Sequence, residues 1–102
     1  VKPVLPRTAA GKDIDAGFDD YQRVGGAALA QRFVDAYDAA LRHIGGYPGT
    51  GSPRHAVVTG IHDLRFWPMR GFPYAVFYVE YPNVVDVLRV LHQASDLPRH
   101  FS

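Results

Sequence analysis

The sequence contains no cysteine, which excludes disulfides, thiolate nucleophiles and cysteine-ligated zinc. That absence fits a reducing cytoplasm, the compartment expected for this protein. Lysine is almost as scarce, since Lys2 and Lys12 are the only two, so every strongly basic group in the second half is an arginine. No apolar run approaches the roughly 20 residues of a membrane-spanning helix, and residues 1–13 lack the apolar stretch of a signal peptide. No membrane partner is expected. An excess of one charge sign is missing too: 11 Lys plus Arg face 10 Asp plus Glu, six against six in residues 1–50 and five against four in residues 51–102. A domain that grips nucleic acid through its phosphates usually has a pI above about 9 and a basic face. At pI 8.3 this chain gives direct DNA binding little support, and none is expected.

What remains is an ordinary folding composition. With 102 residues, 47% hydrophobic and 13% aromatic, the chain can build one packed core and is too short for two domains. A single domain over residues 1–102 is expected. Its first half reads as helix, with Ile14, Phe18 and Tyr21 spaced four and three apart behind Thr8, a candidate N-cap. Gly25 and Gly26 interrupt the pattern before Ala30, Phe33, Val34, Tyr37, Leu41 and Ile44 resume it, and Gly45, Gly46 and Pro48 close it. Two helices joined by so short a connection predict an antiparallel hairpin.

Residues 2–6 read as a short strand, which Pro3 and Pro6 confine to an edge or a strand end. Beyond the Gly/Pro/Ser connector of residues 45–53, β-branched and aromatic content predicts strands at residues 55–61, 64–68, 74–81 and 84–92. The segment YAVFYVEY is almost continuously apolar, as a central strand covered on both faces would be. Only Pro82 and Asn83 separate the last two strands, which makes a tight hairpin; the fixed φ of proline excludes a type I′ turn and favours type I. The predicted class is α+β: an N-terminal edge strand and a helix hairpin packed on an antiparallel sheet of roughly three to five strands, with a short C-terminal tail. Phe18, Phe33, Tyr37, Leu41, Val76, Tyr78, Val87 and Leu88 are the expected core.

Few residues carry a recognisable chemical pattern. His43, His55, His62, His92 and His100 show no H-x-x-x-H or H-x-H spacing, so neither a metal site nor a cofactor is expected. Ser52, Ser95 and Ser102 lie outside any G-x-S-x-G elbow. Glycine-rich residues 49–52 are not followed by lysine and a helix, so they read as a turn. Cutting RNA through its 2′-hydroxyl needs a base, cations for the phosphorane and an acid; the candidates are Arg65, Arg89 and His92. Arg89 and His92 are three apart on one strand and face opposite ways unless a bulge or strand end intervenes. The plain structural reading pairs Arg65 and Arg89 with Asp63, Asp86 or Asp96 and leaves His92 as a capping or hydrogen-bonded residue. Phe66 and Trp67 point to opposite faces, so Trp67 beside Arg65 is either core or an exposed interface anchor. Tyr78 and Tyr81 read as core residues with solvated hydroxyls.

Taken in order, ALRHIGGYPGTGSPRH, IHDLRFWPM, FPYAVFYVEY and VVDVLRVLHQASDLPRHF resemble the ParE-type toxins of the plasmid-stabilisation group, within the RelE/ParE superfamily. The specific marks are P-G-x-G at residues 48–51, Leu64 and Arg65 ahead of an aromatic strand, Pro73 and Tyr74 leading into Phe77 and Tyr78, and V-L-R-V-L-H at residues 87–92. The family continues from that histidine into an Arg-Asp pair, whereas here Ser95 precedes Asp96. The resemblance implies a toxin of a type II toxin–antitoxin system, neutralised by a ParD-like antitoxin whose C-terminal segment wraps it. It also implies DNA gyrase as the target, inhibited by binding and not by catalysis. The RelE branch shares the fold and instead cuts messenger RNA on the ribosome, using strand lysines that this chain lacks. In that alternative Arg65, Arg89 and His92 are the catalytic groups. A further alternative, which Ser95 keeps open, is a module that has lost toxicity and only binds antitoxin. An acidic, amphipathic antitoxin segment needs an apolar face flanked by cations. The sequence offers one along a sheet margin around Arg65, Trp67 and Arg89, with His92, Ser95 and Asp96 as further candidates for antitoxin or target binding.

Overall fold

In the computed structural model, which describes residues 1–101, the elements are β1 (Val4–Pro6), α1 (Thr8–Gly46), a 3-10 turn (Pro48–Thr50), α2 (Ala56–Thr59), β2 (Arg65–Pro68), β3 (Tyr74–Glu80), β4 (Val85–His92) and α3 (Leu97–Phe101). A straight helix of 39 residues would be ~58 Å long, yet the longest extent of the molecule is 38 Å. The run is folded back on itself at Gly26, whose φ of 84° suits glycine and few other residues. The predicted hairpin is therefore present, with its reversal at the second glycine of the pair. Arg7, not Thr8, precedes the first turn, and no side chain caps it. Arg7 is held extended by its N–H bond to Val87 O, so the helix begins one residue later.

The first arm turns Ala10, Ile14 and Gly17 inward, and the second turns in Ala30, Phe33, Tyr37, Ala40 and Ile44. A Cβ at Gly17 would lie 2.6 Å from the Phe33 ring, so the missing side chain is what admits that ring. Phe33 is fully buried and meets Tyr21, Phe72 and Tyr74 at centroid distances of 5.0, 5.3 and 5.1 Å. Aromatic edge-to-face contacts of this kind add about 0.5–1.5 kcal/mol beyond burial. Phe18, expected in the core, is only half-buried: it lies about 70° round the helix from the stripe of Ala10, Ile14, Gly17 and Tyr21. Leu41 is likewise only partly buried against the core, while Phe33, Tyr37, Val76, Tyr78, Val87 and Leu88 are buried as expected.

The sheet has the order β1-β4-β3-β2. Strands β2, β3 and β4 form the predicted antiparallel meander, with Tyr81 N–H donating to Val84 O across the last hairpin. Strand β1 runs parallel to β4, so the sheet is mixed and not wholly antiparallel. The intervening chain is long enough for the crossover that a parallel pair needs. Residues 55–61 are not a strand: α2 forms there, with the Thr59 hydroxyl bonding back to His55 O and Gly60 ending the turn at φ 71°. Val57 is 93% exposed, so its β-branched run has no sheet face to pack against. The expected tail is ordered as α3, because Leu97 and Phe101 have an apolar face to cover.

Both faces of the sheet are covered. The helix hairpin packs on Val76, Tyr78, Val85, Val87 and Val90. Phe66, Ala75, Phe77, Leu88 and Leu91 point the other way, toward Leu97, Ile61 and Phe101. That double cover explains the unbroken apolar character of β3, whose five central residues are all buried. Tyr81, read from the sequence as core, is 48% exposed at the hairpin end. Among the described residues no helix is long and apolar enough to cross a membrane.

The tyrosines give the fold a measurable alkaline limit. Burial first, then the charges of Asp38 and Asp13, push the Tyr37 phenol from its ordinary value to about 12. The folded state thus holds this proton more tightly than the unfolded chain does. Stability from it is complete below about pH 10 and is lost as pH rises toward about 12. Urea midpoints should therefore fall across that window, and Tyr37→Phe should flatten the fall; an identical alkaline slope in the variant would assign the effect to another group.

Candidate functional site

The glycine-rich turn after α1 is fastened to the sheet by one phenol. Tyr78 is fully buried; its hydroxyl donates to Pro48 O at 2.6 Å and accepts from Gly51 N–H at 3.0 Å. The hydroxyl is dry and satisfied, where the sequence suggested a solvated one. Burial raises its pKa, and the Gly51 hydrogen bond and Arg65 pull part of that shift back. A Cβ at Gly51 would stand 2.3 Å from the phenol oxygen, which is why the last glycine of P-G-x-G is required. Arg65 completes the clasp by donating from Nη1 to Gly51 O at 2.7 Å. Its partner is thus a carbonyl and not the expected aspartate, and Asp63 sits with His62 instead.

Arg89 is placed by a bulge. Phe77 pairs with Arg89 but Tyr78 pairs with Val87, so Leu88 is an extra residue in β4. Strand β1 covers β4 only at residues 85–87, and beyond it the edge is open. Asp13 of α1 closes that gap: its carboxylate accepts from Arg89 Nε and Nη2, each at 2.8 Å, and from Val90 N–H at 2.9 Å. Arg89 Nη1 also reaches His100 O at 3.3 Å, tying in α3. The pairing with Asp63, Asp86 or Asp96 expected for Arg89 is absent, and Asp86 holds Arg7. Hydrogen bonding to Asp13 raises the Arg89 pKa further.

His92 lies on the opposite face from Arg89, across from Tyr74, with the two rings edge to face at 5.6 Å. Its Nδ1 accepts from Ala94 N–H at 3.0 Å, so this histidine acts as a turn cap. Together with Ser95, Tyr74, Asp13 and Asp20 it borders a cleft of about 200 Å³. Asp96 follows as an exposed residue. Arg65, Arg89 and His92 therefore do not converge on one reacting centre.

Trp67 is half-buried on the helix face of β2 and stacks on His43 of α1, with centroids 4.2 Å apart and planes 16° off parallel. Ala36, Ala39, Ala40, His43, Trp67, Pro68 and Arg70 line a groove of about 520 Å³, and a second of about 530 Å³ adjoins it at His43, Tyr47, Gly49 and Thr50. The structure brings Arg65 and Trp67 to one face and one edge strand, but it puts Arg89 on the other face. The single margin expected from the sequence is two surfaces. Asp13, His43, Tyr47 and Arg70 were not singled out in the sequence. For His43 a signal existed: it sits on the alanine side of a well-predicted helix, with Tyr47 the residue that ends it.

A chain of the chromosomal ParDE toxin–antitoxin system from P. aeruginosa superposes with a TM-score of 0.76 over 89% of this chain and 95% of that one, at 16% identity. The architecture is accordingly of the ParE-like α+β class. Residues 4–97 match the family model of the ParE toxin of the type II toxin–antitoxin system parDE, and the chain belongs to that family. No curated protein matches it in sequence.

The Asp13 contacts should be worth more than the exposed ion pair beside them. Asp13→Ala leaves a partly buried arginine and a strand N–H without their acceptor, costing about 2–3 kcal/mol. Arg7→Ala removes a pair whose arginine is 57% exposed, costing at most about 1 kcal/mol. Urea denaturation of both variants checks the order, and equal losses would show that Asp13 closes no edge.

Proposed function

We propose that this chain is a cytoplasmic toxin that is held inactive by a ParD-type antitoxin and acts by binding DNA gyrase, without cutting RNA. Family membership supports an antitoxin partner. The observation that carries the non-catalytic reading is the dispersal of Arg65, Arg89 and His92. General acid–base chemistry needs its groups within hydrogen-bond reach of the same reacting atoms. Here Arg65 is spent on Gly51 O, Arg89 on Asp13, and His92 on Ala94 N–H at the other face. The missing strand lysines point the same way.

The candidate binding residues divide between two surfaces. Arg65 and Trp67 stand where the antitoxin would meet the helix face. His92 and Ser95, with Asp96 next in sequence, border a separate cleft that suits contact with the target. Arg89 contributes by fixing β4, α1 and α3 in place.

The test uses the purified chain in two assays. Gyrase supercoiling should be inhibited, and translating ribosomes should yield no cleaved messenger RNA. Ribosome-dependent cleavage that disappears in Arg89→Ala or His92→Ala would replace this reading with the nuclease one. A chain inert in both assays that still binds the antitoxin is the module without toxicity.

A further inference from the structure

We infer that the cleft bordered by Arg7, Arg89 and His100 receives a carboxylate from an acidic surface of the target protein, while Val57 and Val58 meet an aliphatic side chain beside it; this rests on the gyrase-binding reading above. The cleft holds about 270 Å³ and opens between the first turn of α1, the residues after α2, and α3. Its apolar surface is Ile61, Leu88 and Phe101, which belong to the layer on the far side of the sheet from the helix hairpin. The first turn of α1, which carries no acidic residue, closes the rim at Ala9.

Charge decides the sign of the occupant, because no acidic side chain borders the cleft. The nearby acids act from behind: Asp86 takes Nε and Nη2 of Arg7, and Asp13 takes Nε and Nη2 of Arg89. Their side chains are 19% and 14% exposed, against 57% and 24% for the arginines. Both guanidiniums are thereby held in place without the cleft being filled. Arg89 turns its last edge to His100 O, so it supplies charge and position. Arg7 Nη1 and the His100 ring have no hydrogen-bond partner among the described residues. A carboxylate entering here meets donors that are already ordered, and charge-assisted bonds of that kind are among the strongest available.

The surroundings select a protein over a nucleic acid. Ala56 and Ile61 pack inward with Leu97 and Phe101, while Val57 and Val58 are 93% and 55% exposed. Valine is a poor helix former, so α2 holds two β-branched aliphatics in water against both local preference and burial. Conflicts of this kind gather at functional positions. Aliphatic surface gives a phosphate backbone nothing, and a polyanion is gripped by many cations, which a chain with 11 basic and 10 acidic residues does not provide. One carboxylate next to an apolar contact is instead the pattern of a protein interface. Ser95 and Asp96 lead directly into α3, so this cleft and the one at His92 lie at the two ends of one short segment.

The experiment is calorimetry of the purified chain with purified DNA gyrase, read beside supercoiling inhibition. Arg7→Ala, expected above to cost little stability, and His100→Glu, which sets a negative charge in the mouth of the cleft, should each weaken binding roughly tenfold or more and raise the inhibitory concentration in step. Val57→Asp should weaken binding by a similar factor through its lost apolar contact. The Arg7→Ala loss should shrink at high salt, as a charge contact requires. Arg32→Ala, which removes an exposed cation on the helix hairpin, should behave as the native chain does. Thermal melts identify the folded variants, and His100→Glu, on the surface, keeps the test decisive if Arg7→Ala loosens β1. Native affinity in folded Arg7→Ala and His100→Glu overturns the cleft and leaves gyrase as the target. A loss seen only when gyrase carries DNA gives the cleft to a phosphate and overturns the carboxylate. A loss confined to binding of the antitoxin gives it to that partner instead. A native chain that neither binds nor inhibits gyrase overturns the target reading and the cleft together.

Discussion

The Phe33 ring fills the space that a side chain at Gly17 would occupy, and the placement of both helix arms depends on it. The notch fixes how near the arms approach and which side of the second arm is turned inward. With Phe33 down on Phe72 and Tyr74, the helical period puts Tyr37, Ala40 and Ile44 on the sheet as well. The adjoining side of the same arm, Ala36, Ala39 and His43, is then left beside β2 with no element over it. Groove and core are consequences of one rotation of one helix. A larger residue at position 17 would separate the arms and disturb the groove without touching any groove residue.

The arginines show how a nearly neutral chain divides its cations. Arg7, Arg65 and Arg89 hold backbone and carboxylates: Asp86 beside β1, the Gly51 carbonyl in the turn, and Asp13 over the open edge of β4. All three lie where a strand or turn would otherwise present an unsatisfied group, and partly buried groups of that kind cost more unpaired than they return paired. Arg32 and Arg70 lie on helix surface and in the β2–β3 turn, where the backbone needs nothing from them. The cations closest to the sequence motifs are therefore the least available for partners.

Much of this was legible in the sequence. The hairpin followed from two apolar periods separated by glycines, and the meander from alternating turn residues and apolar strands. The double cover of β3 followed from the unbroken YAVFYVEY. What escaped had a common cause. Val57 and Val58 favour strand locally, but tertiary context gives them no sheet to join. Phe18 keeps helical spacing to Ile14, yet Gly17 takes the inward position because space, and not hydrophobicity, is needed opposite Phe33. Thr8 suits a cap, yet Arg7 is already bound to β4.

The site was less legible because its residues are joined by registers that no spacing rule encodes. The distance from Asp13 to Arg89 along the chain is 76 residues, and the bond between them exists only because β1 stops at Pro6 and β4 bulges at Leu88. Without the bulge, the residues beyond it would change faces: His92 would leave Tyr74, and Val90 would leave the core under the helices. Arg89 and His92, three apart beyond the bulge, take opposite sides of the sheet by strand alternation, and the extra residue in β4 decides which side each of them takes. The same irregularity keeps Val90 and His92 on the helix face, where Val90 joins the core and His92 meets Tyr74, while Trp67 of β2 stands across the groove from the alanines of α1.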